Sequence, residues 1–532
     1  MFKNYFKTAY RSLIRNKSYA LINIAGLAVG IAVCIIIFLI ITFETSFDNF
    51  HKDEDQIFRV LTEGHGPDGI NTSSGVPFPT PDALKNDFPT ATVIPVYAGY
   101  NEQILVLNAD GSIHKKLKER TGVYHSSPEF FQVFNFPLID GSALSLKEPN
   151  SVMLTKATAE KYFGDYKLAM GRTIKFNNDR IYKVTGIIKD PPANTDFQMH
   201  AVMSYITVKP DFQKDDWRSV NSSNGLFMKV PKGISEATLT TQLRAFLKRY
   251  RPPQNTYENS MIAQSINKIH YDDDSGNLLG RTISPNLIDM LKLIALFILI
   301  IACVNFINLS TAQAVNRSKE VGVRKVLGSN RAQLQLQFYC ETIIIVILSV
   351  VLAIGITIAA LPGINSILEL SMEFKPGAGL FLFIGLIIVA VTILAGFYPA
   401  LVLSGYSPIN ALKSKVANNK TSGVSLRRAL VVCQFVIAQA LIIGTILIVK
   451  QMDYFQNSRM GFAKDAIITV PFPSDSIGRS KINFLRSKLN EMKDIDQVSF
   501  SFTSPADNSN WFSDITYNHA PKGTDFGVNL KW

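Results

Sequence analysis

Long apolar runs alternate with hydrophilic segments along this 532-residue chain. A membrane-spanning helix needs about 20 consecutive apolar residues. Five runs meet that length, at 20–43, 286–311, 336–361, 377–403 and 429–450. One large hydrophilic region lies at 44–285, and another opens at 451 and reaches 532. The pattern predicts a membrane protein with an α-helical bundle of five spans. The pattern also predicts a large α+β extracytoplasmic domain and the start of a second one.

Residues 1–19 predict an interfacial helix on the cytoplasmic side of the membrane. Aromatic side chains recur there at helical spacing against basic ones, with no acidic residue: Phe2, Phe6 and Tyr10 against Lys3, Lys7, Arg11, Arg15 and Lys17. Such a helix lies on an anionic leaflet. A cleaved signal peptide is the alternative. The apolar run that follows exceeds the 7–15 residues typical of a signal peptide, which favours a first span at 20–43.

The hydrophilic region 44–285 mixes strand-like and helix-like patterns. Strands are predicted where β-branched and aromatic residues cluster between turn residues, at Ile57–Leu61, Gln103–Leu107, Ile181–Ile188 and Leu226–Val230. Helices are predicted at Asp82–Asp87, Ser127–Phe134, Lys156–Phe163 and Ser235–Lys248. The region is long enough to form a core of its own.

Basic residues cluster beside the apolar runs and predict the orientation. The net charge is +12, and the predicted inner segments 1–19, 312–335 and 404–428 hold five Lys or Arg each, with Glu320 as their only acid. The positive-inside rule then puts the N-terminus in the cytoplasm, and the large domain and the short loop 362–376 in the periplasm. A basic soluble protein would suggest nucleic acid, but no nucleic-acid motif is present.

The chemistry-bearing residues do not predict an enzyme. The seven histidines show no metal-ligand spacing, and the four cysteines lie in or beside apolar runs, so neither a metal site nor a disulfide framework is predicted. No G-x-S-x-G, H-E-x-x-H or G-x-x-x-x-G-K-[ST] pattern occurs, so the sequence predicts no catalytic residue and no ATP site.

The segment Asn316–Asn330 stands out between the second and third runs. Val323, Val326 and Leu327 would form an apolar stripe on a short helix, and Gly328 is placed to end that helix. Two interpretations are open from these residues alone. The segment is either a docking helix at the foot of two spans or an ordinary basic loop that obeys the positive-inside rule.

The order of basic segment, apolar span and hydrophilic region then repeats. Ser425-Leu426-Arg427-Arg428 precedes the fifth run much as Arg11-Ser12-Leu13 precedes the first. The copy contains one span and part of an outer domain, without counterparts to spans two to four. We therefore expect a tandem protein whose natural gene continues beyond residue 532.

This layout resembles ABC transporter permeases of the FtsX/MacB/LolC superfamily. The likeness rests on Arg317–Ser329, which is close to the family pattern R-x-[RK]-E-[IV]-G-[IV]-x-[RK]-x-[LI]-G-[AS]. It also rests on Gly396-x-Tyr398-Pro399-Ala400, with Ser407-Pro408 after it, and on the opening Arg11-Ser12-Leu13. The resemblance covers essentially the whole chain, and the doubled plan is similar to that of members with two permease units.

The resemblance implies a MacB-like periplasmic domain and a cytoplasmic coupling helix at 312–335 that contacts a separate ABC ATPase. The implied coupling residues are Arg317, Lys319, Glu320, Gly322, Val323, Arg324, Lys325, Leu327 and Gly328. ATP and Mg would be bound by the ATPase rather than by this chain. A permease dimer or pseudo-dimer, a periplasmic adaptor or envelope protein and the bilayer are the other implied partners. The alternative is a membrane-anchored sensor or scaffold with a ligand-binding outer domain, and the substrate is not indicated.

Overall fold

The computed structural model forms two compact units. It describes residues 2–66, 69–212, 216–217, 219–250, 258–275, 277, 280–405, 423–458, 467–470, 472, 476–501, 512–514 and 527–529. One unit joins Met1–Thr45 to Pro285–Ser458, and the other joins Ser46–Ser284 to Arg459–Trp532. We call them the helical unit and the outer unit.

The α-helices are α1 Phe2–Arg15, α2 Lys17–Glu44, α3 Thr80–Asp87, α4 Glu129–Phe134, α5 Lys156–Phe163, α6 Tyr205–Val208, α7 Glu236–Tyr250, α8 Ile266–Ile269, α9 Pro285–Val326, α10 Arg331–Leu368, α11 Ala378–Gly405, α12 Gly423–Asn457, α13 Ser476–Ser480 and α14 Ile482–Asn490. Short 3-10 helices lie at Glu54–Gln56, Ala143–Lys147, Tyr166–Leu168 and Lys209–Asp211.

The strands are β1 Ile57–Gly66, β2 Gly69–Ser73, β3 Thr92–Gly99, β4 Glu102–Leu107, β5 Ile113–Glu119, β6 Val123–Ser126, β7 Leu138–Gly141, β8 Ser151–Thr155, β9 Thr173–Phe176, β10 Arg180–Ile188, β11 Ala201–Ser204, β12 Asn224–Lys229, β13 Glu258–Ser265, β14 Phe512–Asp514 and β15 Gly527–Asn529.

In the helical unit, five helices among the described residues are long and apolar enough to cross a membrane: α2, α9, α10, α11 and α12. Small residues let the first four pack closely. A Cβ added at Gly30 would lie 2.7 Å from the Cβ of Ala302, so α2 and α9 approach each other there. A Cβ at Gly396 would lie 3.1 Å from the ring of Tyr339, which explains the glycine in the Gly396–Ala400 motif. Close approach at small residues is typical of membrane helix packing.

The N-terminal helix is held against the bundle. α1 buries Ala9 and Leu13 against the bundle, whereas Tyr10 and Ile14, which belong to its predicted apolar face, stay exposed. Ser12 Oγ donates to the buried Glu341 Oε1 of α10 at 3.2 Å. The helix is interrupted at Asn16, which separates α1 from α2. The first membrane helix therefore begins at Lys17 and takes in residues that the pattern had assigned to the interfacial helix.

The outer unit is built on one mixed sheet in the order β13-β1-β12-β3-β6-β11-β8-β10-β9-β4-β5, with β2 paired to β1 and β7 to β10. Helices pack on its apolar positions. Leu239, Leu243 and Phe246 of α7 are buried together with Val60 and Met261 of the sheet. The residues 57–61, 103–107, 181–188 and 226–230 predicted as strands lie almost wholly within β1, β4, β10 and β12. β14 and β15 form a separate two-stranded sheet.

A buried polar cluster lies just after α2 in the chain, in the outer unit. The Asp48 carboxylate accepts hydrogen bonds from His51 Nε2 at 3.0 Å, from the Asp196 backbone N–H at 3.0 Å and from Thr195 Oγ1. His51 Nδ1 lies 2.7 Å from the Phe134 carbonyl oxygen, which fixes the ring. We call Asp48, His51, Thr195 and Asp196 the Asp48 cluster.

His270, shortly before α9 in the chain, extends this cluster. Its Nδ1 lies 3.2 Å from Asp196 Oδ1, and its ring stacks on Phe47 at 3.5 Å between centroids. Burial raises the pKa of Asp196, and the nearby Asp48 raises it further, while the hydrogen bond from His270 opposes both effects. The residues next to the two connections with the helical unit are thus tied together inside the outer unit.

His125 predicts a pH dependence for the stability of the outer unit. Burial lowers its pKa to about 3, and Arg180 lowers it further. The unfolded chain binds a proton near pH 6.5 while the folded one does not, so stability is full above about pH 6.5 and falls by about 1.4 kcal/mol per pH unit below it. The contribution of His125 to the unfolding free energy, measured by urea unfolding with tryptophan fluorescence, should therefore fall by about 2 kcal/mol between about pH 6.5 and about pH 5.

His125→Gln should remove that contribution to the slope, while His114→Gln, at an exposed position, should leave the slope unchanged. Trp217 lies in the outer unit, so its fluorescence reports on the unfolding of that unit. An unchanged slope in His125→Gln would contradict the assignment.

Candidate functional site

The predicted coupling segment is not a separate helix in the structure. α9 runs without interruption from Pro285 through the second apolar run to Val326, and α10 begins at Arg331. The predicted helix over 312–335 is therefore divided: residues 312–326 end α9, residues 327–330 turn, and residues 331–335 start α10. No helix-ending residue separates the apolar run from the charged stretch, so α9 continues through both.

The turn at residues 327–330 is held by a cap at each end, and we call this turn together with the adjoining helix ends, residues 320–335, the elbow. Gly328 has a φ of +99°, and the N–H groups of Gly328 and Ser329 donate to the carbonyls of Lys325 and Arg324. These two bonds form a Schellman motif, and Gly328 ends the helix as predicted. On the other side, Asn330 Oδ1 accepts from the Gln333 N–H, and Gln333 Oε1 accepts from the Asn330 N–H. Reciprocal bonds of this kind form a capping box.

Apolar contacts close the elbow from inside. Val321 and Leu334 are buried against each other, with Phe338 packed beside them. Val321 was not among the predicted site residues, although an apolar residue at that position is consistent with a helix face turned towards α10. The pair brings the end of α9 and the start of α10 into one small core.

The basic residues of the elbow are largely engaged within the chain. Arg324 donates to Gln337 Oε1 and to Glu320 Oε1, each at 2.6 Å. Lys325 Nζ donates to the backbone carbonyl of Ser404 at 2.7 Å, and Arg331 Nε donates to the same oxygen at 3.2 Å. Partial burial and Arg331 both lower the pKa of Lys325.

Ser404 lies at the C-terminal end of α11, where helix carbonyls lack partners within the helix and attract cations. It is fully buried, and its Oγ accepts from Gln335 Nε2 at 3.2 Å. The elbow therefore holds the end of a third membrane helix. No sequence pattern pointed to Ser404, because it lies 79 residues from Lys325.

Three apolar residues of the predicted segment form an exposed tip. Val323 is 46% exposed, Val326 65% and Leu327 80%, whereas Gly322 is buried. Glu320 lies at the edge of this tip with its side chain 52% exposed. Arg317 and Lys319 belong to the α9 backbone, but their side chains lie outside the described residues. The exposed surface is thus apolar at its centre, and the Glu320–Arg324 pair lies beside it.

A second feature, in the outer unit, is a cleft of about 290 Å³ lined by residues that include Thr158, Lys161, Asp190 and His200. The buried carboxylate of Glu119 lies beside it and accepts from Lys161 Nζ at 2.6 Å, from Tyr162 Oη at 3.0 Å and from His200 at 3.0 Å. Burial alone would raise the pKa of Glu119, but His200 and Lys161 outweigh it and lower the pKa to about 2.

Comparisons with known proteins give the class. Residues 20–246 match the model of the MacB-like periplasmic core domain, and residues 292–408 match the FtsX-like permease C-terminal model. Both matches agree with a membrane protein in which apolar helices flank a large α+β domain. The chain belongs to the FtsX/MacB type of ABC permease, and such permeases are inner-membrane proteins.

Two curated relatives show the same likeness along the chain. A macrolide export ATP-binding/permease protein MacB from Photorhabdus laumondii is 23% identical over 422 residues, which are 76% of this chain and 60% of the relative. A protein of the same description from Nitrobacter winogradskyi is 24% identical over 302 residues, 55% of this chain and 43% of the relative. The chain thus spans 60% or less of the length of these relatives.

A crystallised domain from a permease protein of Porphyromonas gingivalis aligns with 45% of this chain and 97% of its own length, at 18% identity and a TM-score of 0.36.

Proposed function

We propose that this protein is the permease subunit of an ABC transporter and that a separate cytoplasmic ATPase drives it through the elbow. The observation that carries the proposal is the exposed tip of Val323, Val326 and Leu327 on an otherwise internally bonded turn. Exposed apolar groups on a capped, rigid element suit insertion into a groove of a partner protein. ATP and Mg belong to that partner, and the naming of the relatives as ATP-binding/permease proteins supports pairing with such an activity.

The elbow suggests how motion is passed on. Lys325 and Arg331 hold the end of α11, and Val321 holds α9 to α10, so one push on the tip would displace three membrane helices together. The proposed outcome is movement of the periplasmic domain, used for export or for mechanical signalling across the membrane. The proposed orientation puts the N-terminus and the elbow in the cytoplasm, in agreement with the basic inner segments.

Glu320→Lys tests the docking. The change places a cation beside Arg324 and reverses the charge at the edge of the tip, and like charges disrupt both the local pair and a matched partner surface. We expect ATPase stimulation by the reconstituted permease to fall to the level of the ATPase alone, with membrane insertion unchanged. The measurement is the ATPase rate in proteoliposomes with the ATPase encoded beside the permease.

Glu373→Lys makes the same charge change on the short loop between α10 and α11, at an exposed position, and should leave the stimulation intact. Full stimulation in Glu320→Lys, or equal loss in both variants, would refute docking at the elbow.

A sensor whose outer domain binds a ligand is the second candidate, and the cleft beside Glu119 is the observation that favours it. This function requires no ATPase partner. Failure of every neighbouring ATPase to co-purify with the permease, together with saturable ligand binding at the cleft, would favour it over transport.

A further inference from the structure

One end of the outer sheet carries lysines on its exposed face. The four strands there are β10, β9, β4 and β5, in that order. Their inward positions, such as Ile104, Ile174 and Tyr182, lie in the apolar core. The alternate positions face away from that core and include Lys116 and Lys118 of β5, Lys175 of β9 and Lys183 of β10. We call these four residues the lysine face.

Strand register places these lysines close together. Leu105 of β4 pairs with Lys116 on one side and with Lys175 on the other. Lys175 pairs in turn with Ile181 of β10, two residues before Lys183. Since strands lie about 4.8 Å apart and alternate residues about 6.8 Å apart, neighbouring members of the lysine face are about 7–10 Å apart at the backbone.

Within the described residues, no acidic side chain pairs with any of the four. Lys161, Lys209, Lys229 and Lys268 of the same unit do form salt bridges. The nearby acids are directed elsewhere: Glu119 is buried on the inward side, and Asp179 lies 3.7 Å from Arg180 at the β9–β10 turn. Four like charges thus share one surface without compensation.

Protection of a sheet edge explains only half of this arrangement. Lysines on an edge strand block pairing with other chains, which accounts for Lys116 and Lys118 of β5. Lys175 and Lys183 lie on β9 and β10, which have neighbours on both sides. Protection of the sheet edge therefore does not account for Lys175 and Lys183.

An exposed apolar residue lies among these charges. Ile181 is 52% exposed and sits directly across from Lys175. Leu105, on the same face, is buried, which is consistent with lysine stems covering apolar surface. A polyanion without apolar groups would gain nothing from contact with Ile181. A protein segment with acidic and apolar side chains would contact both the lysines and Ile181.

We propose that the lysine face is a docking surface for an acidic protein segment that places an apolar side chain against Ile181. Complementary charge would speed encounter and fix the orientation of the partner, and the four-stranded face would supply the contact area. This proposal is independent of how an ATPase acts on the elbow, because the two surfaces lie in different units.

The test compares two triple variants of the full chain in neutral detergent. Lys116→Gln/Lys175→Gln/Lys183→Gln removes three charges from the lysine face. Lys85→Gln/Lys232→Gln/Lys248→Gln removes three from exposed positions elsewhere in the outer unit. The probe is a labelled peptide of alternating glutamate and leucine, and binding is measured by fluorescence anisotropy at low and high salt.

We expect the first variant to bind roughly 10-fold more weakly than wild type at about 50 mM salt, with a smaller difference at high salt, because exposed charge pairs are screened. The control variant should bind like wild type. Equal loss in both variants, or loss in neither, would overturn the proposal. All six lysines are exposed or partly exposed, and unchanged melting of each variant will establish that it is folded.

Ile181→Ser separates a protein partner from other polyanions. We expect it to weaken binding of the glutamate–leucine peptide and to leave binding of polyglutamate unchanged. Dextran sulfate and vesicles of anionic lipid are the competing probes. Tighter binding of either probe than of the peptide, with no effect of Ile181→Ser, would assign the face to a polysaccharide or a membrane and would contradict the proposal.

Discussion

Leu327→Asp will abolish stimulation of the proposed partner ATPase while the permease still inserts and folds. Leu327 is 80% exposed at the elbow and has Val326 beside it at 65% exposure. A partner groove that accepts this leucine would have to bury an unpaired carboxylate instead, which is strongly unfavourable. Apolar anchors at the centre of an interface commonly cost at least about 2 kcal/mol when lost, and a buried charge adds to that, so binding should fall by more than about 30-fold.

The matched control is Ile367→Asp. Ile367 is 81% exposed and lies near the other end of α10, so the change alters the same kind of side chain at the same exposure. Pull-down of the ATPase from solubilised membranes and its hydrolysis rate are the two measurements. Retained pull-down with Leu327→Asp, or equal loss with Ile367→Asp, would show that the tip is not the docking site.

Asp48→Ala will strongly destabilise the outer unit. The carboxylate accepts from His51, Thr195 and the Asp196 N–H, and the residue is only 1% exposed. Its removal leaves three buried donors without an acceptor, which should cost about 3–5 kcal/mol of unfolding free energy. Urea unfolding of the full chain in detergent, followed by tryptophan fluorescence, measures this loss as a lower midpoint.

Asp55→Ala removes a carboxylate from an exposed position seven residues along and should leave the midpoint close to wild type. Asp48→Asn keeps one acceptor oxygen and should fall between the two. A wild-type midpoint for Asp48→Ala would mean that the cluster adds no net stability.

Periodicity predicted the regular elements because their cause is local. The helix predicted at Lys156–Phe163 matches α5 residue for residue, since Thr155 caps its first turn and Gly164 follows its last residue. The end of α9 was also predictable, because only glycine readily adopts the positive φ at position 328. The uninterrupted join between the second span and the coupling segment was missed, because family layout suggested a separate helix where the local sequence had no stop.

The partners of single polar residues could not be predicted in this way. Asp48 and Asp196 are 148 residues apart, and Lys325 and Ser404 are 79 apart. Neither pair follows a repeat or a spacing rule. Each forms only because the tertiary fold brings two distant residues together. The sequence therefore indicated the apolar stripe of Val323, Val326 and Leu327, but it gave no sign that the ammonium group of Lys325 bonds to the chain's own α11.

The length of α9 has a mechanical consequence. Its 42 residues form a rod of about 60 Å, roughly twice the thickness of a bilayer's hydrocarbon core, with a proline only at its first position. A lever of that length without a joint amplifies small rotations. Tilting it by about 5° about one end would carry the other end through about 5 Å, which is on the order of one helical turn. A slight torque at Val326 would therefore reach Pro285 as a displacement large enough to alter packing there.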